Sequence, residues 1–186
     1  MHIGINLCSY VKLVVMKRAY LLSGEPGSGK TTIIKEVLDK VGMSAGGFYT
    51  EEIRSRGTRQ GFQIVTLDGR NAVLAHSGMS GPYRVSKYGV DIRGMDEVAV
   101  PAIREAIRIC DIVVIDEIGK MELFSPAFRD AVTEALESEK KVLGTIMLAA
   151  NPWADGIKRR AEVEIIRVTR ANRSDVIDQV LMWLKS

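Results

Sequence analysis

The chain has 186 residues, 46% hydrophobic and 26% charged, with a formal net charge of +3, an ordinary globular composition sized for one domain with a sizeable core. Its basic residues are scattered, Lys158-Arg159-Arg160 being the longest run, so the charge neither requires nor excludes a nucleic-acid partner. Two cysteines, Cys8 and Cys110, with His2 and His76 supply no structural metal site and point to a reducing, cytoplasmic setting, and no apolar run approaches the ~20 residues that span a membrane.

Residues 1–15 hold an apolar stretch with no basic leader before it and no convincing small-residue cleavage site after it. Met16-Lys17-Arg18 directly precedes the first expected strand, so 1–15 read as a dispensable extension, Met16 as an alternative start and 16–186 as a single domain. Ala19 to Ser23 suits a buried strand, and Ile33, Ile34, Val37, Leu38 and Val41 recur at helical spacing until Gly42 stops them. Between strand and helix, Gly24-Glu25-Pro26-Gly27-Ser28-Gly29-Lys30-Thr31 satisfies G-x-x-x-x-G-K-[ST], a cradle for the phosphates of a nucleoside triphosphate. Glycines let successive N–H groups turn inward around a phosphate while the helix presents its positive end. Lys30 then supplies a mobile charge for the β- and γ-phosphates, and Thr31 a hydroxyl for Mg2+.

Gly46 to Ile53, Gly61 to Leu67 and Ala72 to Ala75 predict a meander of short antiparallel strands, turning at Arg56-Gly57 and Asp68-Gly69. Ser77 to Gly94, rich in Gly, Ser and Pro, predicts a long surface loop with a short strand at Tyr88 to Ile92. Pro101 marks a helix start, with Ile103, Ala106, Ile107 and Cys110 on one face. The β-branched run Ile112-Val113-Val114-Ile115 leading to Asp116 predicts a central parallel strand covered on both faces. Ser125-Pro126 opens another helix, Lys141 to Met147 and Glu162 to Val168 are strands, and Asn172 caps a closing helix. Strands alternating with helices predict an α/β three-layer sandwich with a mostly parallel sheet.

Asp116-Glu117 lies at the carboxyl end of that buried run, where open α/β sheets bind ligands. Asp116 is assigned to Mg2+, in concert with Thr31, and Glu117 to orienting or deprotonating the attacking water. Asp116-Glu117-Ile118-Gly119 also matches D-x-x-G, which would bring the Gly119 N–H near a γ-phosphate. The guanine-reading Asn/Thr-Lys-x-Asp signature is missing, which argues for loose base selectivity. Lys120 and Glu122 read as solvent-facing charges. Arg54, Arg159, Arg160 and Arg173 are candidates for neutralising the transferred group. Thr145 reads equally as a γ-phosphate or water contact and as a buried, satisfied hydroxyl, and Glu51 and Glu52 as an exposed strand face or a substrate contact.

Together, Gly24 to Thr32, Gly47 to Arg54, Gly61 to Val65, Lys87 to Asp91 and Val114 to Leu123 resemble the small thermophile nucleoside-triphosphatase family, to which the human cancer-related nucleoside-triphosphatase is related. The resemblance runs from about residue 17 to the C-terminus and implies a RecA-like or kinase-like P-loop core. It implies slow, Mg2+-dependent hydrolysis of ATP, GTP, CTP and UTP. The family's nucleotide-contacting segments map onto Gly24 to Thr32 and onto Ile112, Val113, Val114, Ile115, Asp116, Glu117, Ile118 and Gly119. Two alternatives accompany it: a kinase passing the γ-phosphate to a nucleotide or other small acceptor, and a nucleotide-dependent adaptor in nucleic-acid processing.

Overall fold

The computed structural model describes residues 16–186, so the expectation for residues 1–15 lies outside the described residues. Strand β1 (Ala19–Ser23) leads through the phosphate loop into α1 (Lys30–Val41). Strands β2 (Ala45–Ser55), β3 (Thr58–Thr66) and β4 (Asn71–His76) follow, then the hairpin β5 (Arg84–Val85) and β6 (Tyr88–Val90). A continuous helical path runs through α2 (Ile92–Gly94), a π-helical turn (Met95–Ala99) and α3 (Val100–Ile109). Next come β7 (Ile112–Ile118), a 3-10 turn (Glu122–Phe124), α4 (Pro126–Glu137) and β8 (Lys141–Ile146). Helix α5 (Pro152–Lys158), β9 (Val163–Arg167) and α6 (Arg173–Lys185) close the chain.

Among the described residues the strands form one sheet in the order β5-β6-β4-β3-β2-β7-β8-β1-β9. The five from β2 to β9 are parallel and the others antiparallel. Strand β8 separates β1, which carries the phosphate loop, from β7, which carries Asp116. Strand β2 belongs to both halves: Ala45 to Tyr49 pair in parallel with β7, and Phe48 to Ser55 pair with β3. Gly47 makes that junction possible, because its φ is +109° and a Cβ there would stand 2.1 Å from the Val114 carbonyl oxygen.

The β-branched run of β7 is explained by two cores. Val113 and Ile115 pack with Phe48, Ile103, Phe128 and Val132 on one face. Ile112 and Val114 pack with Ile33, Val37, Val180 and Trp183 on the other. Each such side chain, taken from water, contributes roughly 1.5–3 kcal/mol of burial free energy, which makes β7 a rigid mount for the residues at its end.

Several details differ from the sequence expectation. In the segment expected as a loop to Gly94 the short strand is present as β6, ends at Val90 and pairs with an unexpected β5, and helical backbone begins at Ile92, where the Asp91 side chain accepts from the Arg93 N–H. The path then widens into the π turn before Pro101, which has no N–H to give. Asn172 stands at the N-cap of α6 without capping it; its amide oxygen instead accepts from the Thr169 N–H at 2.8 Å and its amide nitrogen donates to the Arg167 carbonyl at 2.9 Å. The short α5 was not anticipated, although Asn151-Pro152 signals it: the Asn151 side chain accepts from the N–H groups of Trp153 and Ala154. Among the described residues no helix is long and apolar enough to cross a membrane.

Candidate active site

Two glycines shape the phosphate loop. Gly27 and Gly29 have φ of +75° and +97°, conformations that L side chains rarely adopt, and the turn is closed by the Ser28 N–H donating to the Glu25 carbonyl at 3.1 Å. Gly29 thereby delivers the N-terminus of α1 to the loop, where unpaired N–H groups and the helix dipole favour an anion. Lys30 Nζ donates to the carbonyls of Gly24 and Glu25 at 2.9 and 3.3 Å, which lays its charge across the loop mouth. The loop borders a cavity of about 660 Å3, shared by Gly24, Lys30, Thr31, Thr32, Asp116 and Glu117. Glu25, Pro26, Gly27, Gly29 and Gly119 also line it.

The acids reach the cavity because β7 and β8 part company. Their pairing shifts between Ile115 and Ile118, freeing Asp116 and Glu117 from the regular alternation, and the peptide between them is cis. Asp116 is only 2% exposed. Thr145 Oγ1 donates to Asp116 Oδ1 at 2.7 Å, whereas Oδ2 is buried with no hydrogen-bond partner among the described residues. Burial pushes the Asp116 pKa up, and the hydroxyls of Thr31 and Thr145 and the charges of Lys30 and Lys35 oppose it. Burial and the Asp116 charge push Glu117 up in turn, against Lys30.

A buried carboxylate with one unpartnered oxygen, on the same cavity as Thr31 of the phosphate loop, offers a donor set that Mg2+ accepts when phosphate oxygens and water complete its shell. No cluster of three His, Cys, Asp or Glu side chains among the described residues could hold a metal alone.

The family model described as NTPase matches residues 19–181. The chain belongs to this NTPase family. The nucleoside-triphosphatase THEP1 of Thermotoga sp. (strain RQ2) is 44% identical over 165 residues, spanning 89% of this chain and 94% of that protein. The human cancer-related nucleoside-triphosphatase is 38% identical over 194 residues, spanning 92% and 98%. The crystal structure of THEP1 from Aquifex aeolicus matches with a TM-score of 0.83 at 34% identity, covering 90% of this chain and 99% of that one.

Within this NTPase-family fold some expected site residues take other places. Ile112, Val113, Val114, Ile115 and Ile118 are fully buried and line neither that cavity nor the smaller recess beside Arg167; they belong to the cores that hold Asp116. Ser28 borders a smaller recess with Arg167, Val168, Thr169 and Arg170, and its hydroxyl is buried without a hydrogen-bond partner among the described residues. Thr145, 0% exposed, serves Asp116 rather than the cavity. Of the four arginine candidates, only Arg173 meets the loop: a Cβ at Gly29 would stand 2.6 Å from its guanidinium carbon. Arg54 pairs with Glu52, Arg160 pairs with Glu137 and Glu162, and neither they nor Arg159 line the cavity. Glu51 and Glu52 do line it, already neutralised by Lys35 and by Arg54 and Arg59. Arg84 and Arg93, the arginines of the Ser77 to Gly94 segment, stay outside, so no arginine-rich lid covers the site among the described residues.

Glu122 is the main correction. It was expected in solvent, yet it is 5% exposed and lines the cavity, because the 3-10 turn folds it back beneath Gly119, with the Leu123 N–H donating to the Gly119 carbonyl at 3.1 Å. Its apolar neighbours Met121, Leu123 and Phe124 were the signal. Burial and the nearby Glu117 and Asp116 raise its pKa from 4.5 to about 8. The raised folded value means stability is greatest below the unfolded value and is lost as pH rises toward 8. Glu122→Gln is therefore expected to melt on the order of 10 °C above the parent near pH 8 and together with it near pH 4, as thermal unfolding at the two pH values would show.

Proposed function

We propose that this protein is a cytoplasmic, Mg2+-dependent nucleoside triphosphatase that hydrolyses ATP, GTP, CTP and UTP to the diphosphate and phosphate. The slow turnover implied by the family resemblance belongs to the same proposal. The observation that carries it is the meeting of Lys30, Thr31, the half-satisfied Asp116 carboxylate and Glu117 on one cavity. The names of the relatives support the same reaction. Thr31 and Asp116 would hold Mg2+, which when bound neutralises charge on the β- and γ-phosphates.

The loop N–H groups and Lys30 bind the phosphate oxygens and strengthen their hold as charge shifts toward the leaving diphosphate. Glu117 accepts a hydrogen bond from a water and takes its proton. The water oxygen bonds to the γ-phosphorus while the bond from that phosphorus to the β–γ bridging oxygen breaks, and the bridging oxygen leaves with the diphosphate.

Loose base preference is supported by the loop from β9 to α6. Arg167 and Arg170 border the recess beside Glu25 and Pro26, and Arg173 lies against Gly29. Guanidinium planes stack on any base. The Asn172 amide, the group suited to reading a base edge, is engaged with Arg167 and Thr169.

Extension of the cavity past Glu117 to Glu52, Arg59 and Phe62 favours the kinase as second reading, since an acceptor would have room there. Phosphate release by purified protein decides between them. With Mg2+ and no acceptor, all four triphosphates are expected to yield phosphate at rates within about tenfold of one another, and chelation to abolish release. Turnover that begins only when a nucleoside monophosphate or other acceptor is added would replace hydrolysis with transfer.

A further inference from the structure

The arginine that meets the phosphate loop carries a charge that the protein itself leaves uncompensated. Arg173 is the first residue of α6, and a Cβ at Gly29 would stand 2.6 Å from its Nε, 2.6 Å from its Cζ and 2.7 Å from its Nη2. Three guanidinium atoms at nearly one distance place the flat face of the group over Gly29, the N-cap of α1, so its N–H groups, which lie in the plane, point past the glycine. The half-buried side chain joins no ion pair among the described residues.

Its surroundings repel a cation. Lys30 lies across the loop mouth, and α1 and α6 both begin here with the positive ends of their dipoles. Asp175, the acid in the first turn of α6, is two residues on, a spacing that does not share a helix face. Glu25, the acid of the loop, pairs with Arg167 at 3.8 Å. The place of Arg173 along a bound nucleotide follows from the two hollows beside it. The cavity of Lys30, Thr31, Asp116 and Glu117 and the recess of Arg167 and Arg170 share Glu25 and Pro26. Arg173 lines neither hollow; it lies against Gly29 of the cavity and follows Arg170 of the recess by three residues. A nucleotide with its β- and γ-phosphates in the loop and its base in the recess passes Arg173 with its α-phosphate.

We infer that Arg173 is a substrate-binding residue for the α-phosphate, its guanidinium N–H groups donating to oxygens on the part of the nucleotide that leaves as the diphosphate. This rests on the proposal that the loop takes a triphosphate and the recess its base. The contact is the same before and after the bond to the γ-phosphorus breaks. Arg173 therefore holds triphosphate and diphosphate alike, contributes uniform binding, and is not the group that neutralises the transferred phosphoryl.

The test is titration of ADP and of a non-hydrolysable ATP analogue, with steady-state phosphate release, in the parent, Arg173→Gln and Arg173→Lys. Arg173→Gln, which removes the charge but keeps a polar side chain, is expected to weaken both ligands about twentyfold and to raise KM by a similar factor, with kcat within about threefold of the parent. Arg173→Lys, which keeps a point charge without the fork, is expected to bind about fivefold more weakly than the parent. Without nucleotide the glutamine variant is expected to melt no lower than the parent, since a repelled cation is gone, and saturating ADP is expected to raise its melting temperature less. Unchanged ADP affinity in Arg173→Gln overturns the inference, whether or not the variant melts below the parent. A kcat more than about tenfold lower at unchanged KM also overturns it, because the arginine would then act on the transferred phosphoryl. If the glutamine variant does not fold, the lysine variant is read alone, and an ADP affinity equal to the parent's overturns the inference. Failure of the hydrolytic proposal is distinguishable: a parent that binds ADP through Arg173 yet releases phosphate only to an added acceptor loses hydrolysis and keeps this contact.

Discussion

Glu117→Gln is expected to lower kcat by about a thousandfold while KM for the triphosphate stays within about threefold of the parent. Gln fills the same volume and offers an amide oxygen to the water but cannot take its proton. The phosphate loop and Lys30 are left intact, so the ground-state contacts persist. Binding of a non-hydrolysable triphosphate to the variant, measured by titration, should match the parent. The environment is tuned for such a base: burial and Asp116 raise the Glu117 pKa from its ordinary value, toward the range in which a carboxylate both exists near neutrality and accepts a proton effectively.

The second large effect is a trade of activity for stability at Asp116. Asp116→Asn is expected to reduce Mg2+-supported phosphate release by about a thousandfold and to raise the melting temperature in Mg2+-free buffer at neutral pH. The gain follows from the sign of the shift. Burial raises the folded pKa of Asp116 above its unfolded value of 3.8, so the folded state holds its proton more tightly and loses stability as pH rises above 3.8. Asn carries no charge into the interior and keeps an amide oxygen for the 2.7 Å hydrogen bond from Thr145. The difference in melting temperature between variant and parent should shrink as pH is lowered, and Mg2+ with nucleotide should stabilise the parent much more than the variant. Melting curves with and without Mg2+ check both statements.

What the sequence made legible follows the range of the forces involved. The phosphate loop and the Asp116-Glu117 pair are local devices, in which residue type and spacing already dictate the backbone, so Gly24 to Thr31 and the carboxylates appear where expected. Parallel strands covered on both faces were likewise written in the β-branched run of β7. Strand order was not, because the insertion of β8 between β1 and β7 is decided by helices packing across two cores. The double use of β2 depends on Gly47 fitting against Val114, a contact visible only once the chain has folded.

At the site the losses were tertiary too. Arg173 was one of four equivalent candidates until α6 brought it against Gly29. Thr145 was placed between two roles until the β7 and β8 pairing turned it onto Asp116. Glu122 was misplaced because a charged residue is normally left in water; the turn that buries it is held by Gly119, 118 to 124 forming a compact bend around the two acids. Lys35, whose Nζ sits 3.7 Å above the Tyr49 ring and 2.9 Å from Glu51, escaped notice because a lysine in the second turn of an amphipathic helix reads as surface.

The central claim is that water, oriented by Glu117, attacks the γ-phosphorus. Hydrolysis of a triphosphate with Mg2+ in 18O-labelled water, read by mass spectrometry of both products, addresses it most directly. The expected result is one labelled oxygen in the inorganic phosphate and none in the diphosphate, with the labelled phosphate lost in Glu117→Gln. Label in the diphosphate, or labelled phosphate formed equally fast by that variant, would contradict it.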